Sequence, residues 1–321
     1  FLNAGGDQII AVSTAINGGT LKLTRINAAT DFGSVSGNTG THIEVNGANV
    51  ANWENLGDFS AYMAVPGTEV RYVGTGAATI PPTIDGANYR ILSVDDGGDA
   101  KTIAAALTVE ESLNIYGSNT LNMAANTTVN GNLLISSGSL NATASLNLVG
   151  DIQINNSGSF ANGGLTHTIG GDWTEVDAGT MTGTGTIRFT TGAHQITTNG
   201  GTLDFHNITA EAGATLSFDE TETTNITGNM GLTGVCGNEI TINSLGASST
   251  LDFSSSQTWN NVVVENIQAN TNIPTILNGT ATGLTNLSSG ADCSTTTRYW
   301  RGMNAACNGR WEDGDCWSST Y

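Results

Sequence analysis

The sequence is poor in charged residues and especially poor in basic ones. Only 12% of its 321 residues are charged, about half of the usual share. It contains 9 Lys and Arg against 28 Asp and Glu, which gives a net charge of -19. A chain with this charge repels DNA, RNA and anionic membrane surfaces. We therefore expect no nucleic-acid partner.

Proline and long apolar runs are also scarce. The chain has 4 prolines, and its apolar fraction of 38% is higher than that of a disordered acidic chain. No segment approaches the roughly 20 apolar residues of a membrane-spanning helix, so we expect no membrane insertion. The sequence starts at Phe1 without an initiator Met, which indicates a processed chain or part of a longer one.

Glycine and the small polar residues are abundant instead. The 42 glycines are about twice the usual share, and Thr, Asn, Ser, Val and Ile are frequent. Gly, Asn and Ser favour tight turns, and β-branched residues favour strands. The glycines keep no three-residue period, which excludes collagen. The composition predicts an all-β protein.

The four cysteines lie late in the chain and form no CxxC pair. The histidines are distant in sequence from the cysteines that lie close together. A zinc site is therefore poorly supported. We predict two disulfides, Cys307–Cys316 and Cys236–Cys293, which would place the protein outside the cytoplasm. The alternative is four reduced thiols in the core.

A short period runs through the middle of the chain. Four small-residue turns are each followed by an apolar residue, namely Leu121, Leu140, Phe160 and Met181. The runs before those turns, SLNIY, NLLIS, DIQIN and DWTEV, alternate as strands with one buried face do. Short strands and turns that repeat roughly every 20 residues are typical of the coils of a parallel β-solenoid. A globular sandwich has no reason to keep a fixed period. We predict that the four apolar residues stack in one interior column.

A second, longer repeat is suggested by EVRYVGTGAATIPPT at 69–83 and TIRFTTGAHQITTN at 186–199. It aligns Tyr72 with Phe189 and Ile80 with Ile196. Three aromatic residues begin later strands, namely Tyr89, Phe205 and Trp259. We expect these aromatic side chains to fill the solenoid core, and the alternative is an exposed ligand platform.

These patterns divide the chain into three regions. Residues 67–290 are predicted to form the β-solenoid. Residues 1–66 are less regular and are predicted to be a β-rich region that caps or joins the first coil. Residues 291–321 form a Cys- and Trp-rich C-terminal motif.

The C-terminal motif contains RYWRG and NGRWEDGDCWSS. These sequences resemble the YWxGG and GxWxDxxxWS signature of large surface and adhesin-like repeat proteins, which Gram-negative bacteria export by the type IX secretion system. The segment TTVNGNLLIS resembles the β-solenoid repeats of the same proteins, although RGMNAACNG replaces the glycine pair of the signature. The resemblance implies an extracellular, cell-surface location and a structural or adhesive role, with no catalytic residues to carry over.

Two acidic turns are candidate metal sites. The run SVDDGGDAK offers three carboxylates that could ligate Ca²⁺, namely Asp95, Asp96 and Asp99. The alternative is a solvated acidic loop. The run RWEDGDCW offers three more, which we expect to face nearby arginines, namely Glu312, Asp313 and Asp315.

Enzymatic motifs are missing from the sequence. It contains no GxSxG, HExxH or P-loop pattern, and Lys101 is the one basic residue beside the first acidic run. We expect no enzyme and no cofactor, apart from the candidate Ca²⁺. The predicted function is a non-enzymatic building block of a surface fibre, stalk or adhesin, which associates end to end or with neighbouring domains. The alternative is a carbohydrate-active β-solenoid enzyme or a module that binds surface glycans.

Overall fold

The computed structural model describes residues 2–5, 13–25, 31–46, 52–95, 98–199, 202–220, 222–282, 299–300 and 317–318. Strands account for about 58% of the described residues and helices for about 3%. The strands form a parallel β-solenoid of about 12 turns, with coils about 21 residues apart. The predicted fold class is confirmed.

Thirty-four strands follow one another in the described part of the chain. The N-terminal and first central strands are β1 Leu2–Gly5, β2 Ser13–Ile16, β3 Thr20–Arg25, β4 Ser34–Gly37, β5 His42–Asn46, β6 Glu69–Val73, β7 Ala78–Ile80, β8 Tyr89–Val94, β9 Lys101–Ile103, β10 Leu107–Tyr116, β11 Thr120–Met123 and β12 Thr127–Val129. The next are β13 Asn132–Ser136, β14 Ser139–Ala142, β15 Leu146–Leu148, β16 Ile152–Asn155, β17 Ser159–Ala161, β18 Thr166–Ile169, β19 Trp173–Val176, β20 Thr180–Thr182, β21 Thr186–Phe189, β22 Ala193–Asn199 and β23 Leu203–Phe205. The last are β24 Asn207–Ala210, β25 Thr215–Phe218, β26 Thr223–Ile226, β27 Met230–Leu232, β28 Ile240–Ser244, β29 Ser249–Phe253, β30 Thr258–Glu265, β31 Ile267–Ala269, β32 Thr275–Thr282, β33 Tyr299–Trp300 and β34 Trp317–Ser318.

Each central coil contributes three short strands, one to each of three faces. The first face contains β12, β15, β18, β21, β24 and β27. The second contains β13, β16, β19, β22, β25 and β28. The third contains β7, β9, β11, β14, β17 and β20, followed by β23, β26, β29 and β31. The long strand β10 joins the first two faces, since its two halves pair with β12 and β13.

The predicted interior column is confirmed, and it lies on the third face. Leu121 pairs with Leu140, Leu140 with Phe160, and Phe160 with Met181. Three of these side chains are fully buried, and that of Met181 is 6% exposed. The alternating strands therefore direct every second residue into the core, one coil above the next.

The corner between the first and second faces depends on glycine. A Cβ at Gly131 would overlap the carbonyl oxygen of Glu111, and one at Gly150 would lie 2.6 Å from that of Gly131. Neither glycine has a positive φ. Close approach of the stacked backbones, and not conformational freedom, therefore requires glycine here.

The residues that follow Gly131, Gly150 and Gly171 form a corner ladder (Asn132, Asp151 and Asp172). The side chain of Asn132 accepts the backbone N–H of Asp151 at 2.9 Å, and that of Asp151 accepts the N–H of Asp172 at 2.8 Å. Asp172 accepts the N–H of Gln195 at 2.7 Å. Each polar side chain thus accepts a backbone N–H of the next coil.

The parallel ladder extends into the N-terminal region, which the sequence predicts to be a cap or joint. β3 pairs with β1 and β5, and β5 pairs with β6. This register sets Val45 beside Tyr72, and both side chains are buried. The boundary predicted between residues 66 and 67 therefore falls inside a continuous ladder.

Two short helices lie between β5 and β6, a 3₁₀ helix at Trp53–Asn55 and α1 at Ser60–Met63. Trp53 and Phe59 are buried, with their ring centroids 5.2 Å apart. The buried hydroxyl of Tyr62 lies 2.8 and 2.9 Å from two backbone carbonyl oxygens. This segment, which has an irregular sequence pattern, is therefore packed into the core.

The predicted longer repeat is wrong. Tyr72 lies in β6, which pairs with β8 in the register of the second face, whereas Phe189 lies on the first face. Ile80 lies on the third face and Ile196 on the second. Alternating strands look alike on all three faces, so an alignment of their sequences does not distinguish the faces.

The three aromatic residues predicted to fill the core are buried, although Phe205 ends its strand and does not begin it. Tyr89 and Trp259 are fully buried and Phe205 is 1% exposed. The indole N–H of Trp259 donates to the backbone carbonyl of Met230 at 3.0 Å. These rings fill the core and form no exposed ligand platform.

The C-terminal motif is described at two strands, β33 and β34, which pair antiparallel. Among the described residues, no helix is both long and apolar enough to cross a membrane.

We expect Leu140→Asp to lower the free energy of unfolding by at least about 3 kcal/mol, because the new carboxylate would be buried between apolar side chains of the stack. The matched control is Asn147→Asp on the exposed side of β15, which should change stability by less than about 0.5 kcal/mol. Urea unfolding followed by circular dichroism measures both. Equal losses in the two variants would contradict the column.

Candidate functional site

The acidic loop predicted to bind Ca²⁺ is engaged in internal contacts. The carboxylate of Asp95 accepts the guanidinium of Arg71 at 3.3 Å, and that of Asp99 accepts the backbone N–H of Gly76 at 2.6 Å. Asp96 lies outside the described residues. In the part of the chain that the structure describes, no three His, Cys, Asp or Glu side chains form a group that could hold a metal ion. The Ca²⁺ site stays a prediction.

Lys101, the basic residue beside this loop, points into the solenoid. It is fully buried and stands in the interior column beside Leu121. Its ammonium donates to the backbone carbonyl oxygens of Gly74, Gly76 and Asp99 at 3.1, 2.7 and 3.2 Å. Burial lowers the pKa of the amine, and the carboxylate of Asp99 opposes that shift. The lysine ties two loops together and is not presented to a substrate.

Partly buried ion pairs occupy the outer side of β3, β5 and β6. Lys22 lies 2.6 Å from Glu44, and Arg71 lies 3.0 Å from Glu69 and 3.3 Å from Asp95. Each of these carboxylates therefore has a cation beside it. Glycoside hydrolysis needs instead two carboxyl groups that face each other across the substrate. The arrangement is typical of a structural row of ion pairs.

Glu175 is a buried acid inside the solenoid. It is 3% exposed and pairs in register with Ile154 and Thr198 of the neighbouring coils. The indole N–H of Trp173 donates to its carboxyl at 3.0 Å. Burial raises the pKa of Glu175 to about 8, opposed by that hydrogen bond and assisted by the charge of Asp204. At neutral pH the group is therefore mostly a neutral acid.

Two depressions lie on the surface beside α1, close to β8 and β10. One depression is lined in part by Ala64, Asn88, Arg90 and Glu110. A second depression shares Asn88, and its lining includes Pro82, Thr108, Asn126 and Thr128. We call the two together the Asn88 groove. It crosses three successive coils and is lined by both polar and apolar side chains.

Glu110 is held in this groove from both sides. The amide of Asn88 donates to one carboxylate oxygen at 2.6 Å, and the amide of Asn130 donates to the other at 2.7 Å. These hydrogen bonds, together with the charge of Arg90, lower the pKa of Glu110. The carboxylate is therefore ionised at neutral pH and fixed in position by residues of the coils on either side.

A β-bulge accounts for the direction of this side chain. Two residues of β10, Glu110 and Glu111, lie opposite the single residue Arg90 of β8. Glu111 accepts the backbone N–H of Gly67 at 2.9 Å, whereas Glu110 lines the groove. Arg90 donates to two carbonyl oxygens at the end of α1, at 3.2 and 3.1 Å. The bulge thus directs the carboxylates of Glu110 and Glu111, which are adjacent in the sequence, to different places.

The residues of this groove were not predicted from the sequence. Asn88, Glu110 and Asn130 follow one another at steps of one coil each. A polar residue that recurs at this spacing is the signal that could have identified them. The apolar period, which reveals the coils, does not reveal such a polar row.

The C-terminal predictions fall mostly outside the described residues. Cys236 lies in the turn between β27 and β28. The other predicted residues are not described, namely Cys293, Cys307, Cys316, Glu312, Asp313 and Asp315. Both disulfide pairings therefore stay predictions.

No family model matches this chain, and neither a curated protein nor a solved structure shows significant similarity to it. The resemblance to exported surface proteins therefore depends on the motifs quoted above. The part of it that the structure supports is the β-solenoid architecture of a repeat protein.

We expect Lys101→Met to lower the free energy of unfolding by about 2 kcal/mol, because it removes the donor from three backbone carbonyl oxygens. Lys22→Met is the control, since an ion pair at the surface contributes only about 0–1 kcal/mol. Thermal and urea unfolding measure both losses. A loss for Lys22→Met as large as that for Lys101→Met would contradict the structural role of the buried lysine.

The raised pKa of Glu175 predicts a loss of stability with rising pH. The neutral acid is favoured in the folded state, so its contribution is complete below the unfolded pKa of about 4.5 and is lost as the pH rises through about 8. Glu175→Gln should remove this dependence and raise stability at pH 9 relative to the native protein. Urea midpoints at pH 5, 7 and 9 measure the difference, and a constant difference would contradict the assignment.

Proposed function

We propose that the protein is a non-enzymatic structural element of the cell exterior, a building block of a surface fibre, stalk or adhesin. The observation that carries this proposal is the length of the ladder. Parallel pairing passes without a break from β1 through the second face to β32. About 12 turns at about 4.8 Å each make a stack roughly 55 Å long.

The side chains of the third face support a rigid rod. Its outer positions on β11, β14, β17 and β20 include a row of uncharged residues in register, namely Thr120, Ser139, Ser159 and Thr180. The hydroxyl of Ser159 donates to that of Ser139 at 2.8 Å, and comparable bonds join other coils. Rows of this kind cross-link the coils and present a polar exterior.

An extracellular location is favoured by the C-terminal motifs and by the cysteines, which suit an oxidising compartment. Self-association is favoured by the geometry of the strands. A strand of one chain added to the ladder of another would continue the pairing that already joins the coils.

The enzymatic alternative has weaker support. The carboxylates of the ion-pair row are neutralised by Lys22 and Arg71, and Glu111 is turned away from Glu110. Catalysis by paired carboxyl groups needs both to face the substrate.

We expect the purified protein to form rods that lengthen with concentration, as measured by analytical ultracentrifugation and electron microscopy. Deletion of residues 1–15, which removes β1 and most of β2, should abolish end-to-end association and leave the unfolding midpoint of the remaining coils nearly unchanged. Asn147→Asp serves as the control with an intact N-terminal region. If the intact protein stays monomeric at high concentration, or if the deletion variant still assembles, the fibre role fails and a single stalk domain is the better description.

Antibody labelling of intact source cells tests the location separately. Surface labelling is the expected result, and labelling only after the cells are opened would contradict the extracellular role.

A further inference from the structure

We propose that the Asn88 groove binds a neutral polysaccharide chain. This inference deepens the proposed adhesive role and rests on it for its biological meaning. The binding itself is a property of the purified protein and can be tested without reference to assembly or location.

The hydrogen-bonding chemistry of the groove suits sugar hydroxyl groups. A hydroxyl both donates and accepts, and the groove offers a carboxylate acceptor at Glu110 beside the guanidinium donor of Arg90. Thr108 and Thr128 add hydroxyls in register on neighbouring strands. A ligand with many hydroxyls can therefore satisfy acceptors and donors along the same line.

The groove is also organised before any ligand binds. Each oxygen of the Glu110 carboxylate accepts one amide N–H, from Asn88 or Asn130, and keeps a second lone pair. Arg90 is fixed by its bonds to the end of α1. Side chains that are already ordered lose little conformational entropy on binding, which favours affinity for a weakly interacting ligand.

The charge of the groove favours a neutral ligand. Arg90 and Glu110 contribute one positive and one negative group side by side. The whole chain carries a net charge of -19, which repels anionic polysaccharides. A neutral chain does not meet this repulsion.

The shape of the groove favours an extended ligand. It runs from the end of α1 across the coils of β8, β10 and β12. Exposed apolar groups at Ala64 and Pro82 lie along it and can contact the C–H faces of sugar rings. A segment of several sugar units would contact more of the lining than a single sugar.

The test uses isothermal titration calorimetry of the full chain with three neutral probes: cellohexaose, xylohexaose and mannohexaose. We expect at least one of them to bind, and Glu110→Gln to weaken that binding roughly tenfold or more, because a neutral amide replaces a charged acceptor. Thr128→Val, a second variant on the outer side of β12, should also weaken it. Glu211→Gln is the matched control, since that carboxylate pairs with Arg188 and lies outside the groove.

Three outcomes would overturn the inference. They are no binding of any of the three hexasaccharides at millimolar concentration, an equal affinity in the Glu110→Gln variant, and tighter binding of polygalacturonate or polylysine than of the neutral probes. The unfolding midpoint of each variant shows that the fold is retained. Failure of this test would leave the assembly experiment, and therefore the structural role, unaffected.

Discussion

The structure depends on one constraint, the in-register parallel pairing of each coil with the next. Leu133 pairs with Ile152, and Ile152 pairs with Trp173, each one coil further along the stack. Each side chain must therefore pack against the side chains at the equivalent positions of the coils before and after it. The apolar columns, the glycines of the corner and the corner ladder all satisfy this requirement, each with a different chemistry.

Polar residues inside the columns show how strictly the constraint applies. Lys101 stands where neighbouring coils carry Ala78 and Leu121, and it compensates for the loss of water with three carbonyl acceptors. The carboxyl of Glu175 accepts a hydrogen bond from Trp173, which is two residues away in the sequence. This bond compensates less fully for the loss of water, and the pKa of Glu175 is therefore raised. A charged group in a stacked core is tolerated when the backbone of adjacent loops supplies its partners.

The sequence was sufficient to predict the coils because the interior residues repeat in both chemistry and spacing. Leu121, Leu140 and Phe160 are apolar, follow small-residue turns and recur once in each coil. The period does not say to which face a strand belongs, since all faces alternate in the same way. The alignment of Tyr72 with Phe189 is wrong for this reason, because the two residues lie on different faces.

The groove and the N-terminal coils were harder to predict for another reason. The direction of Glu110 depends on one extra residue in β10, and a bulge of this kind leaves no mark on the period. The helical segment between β5 and β6 lengthens its coil and hides the repeat there. Both features are set by tertiary pairing and not by local pattern.

The turn that contains Cys236 has a consequence for the plasticity of this architecture. Seven residues, 233–239, separate β27 from β28, whereas two residues separate β12 from β13 at the same corner. The strands on both sides keep their register despite the difference in length. Corners can therefore accept inserted segments while the core is preserved, and a foreign peptide grafted at residues 234–238 would be displayed on a rigid support at a defined height along the stack.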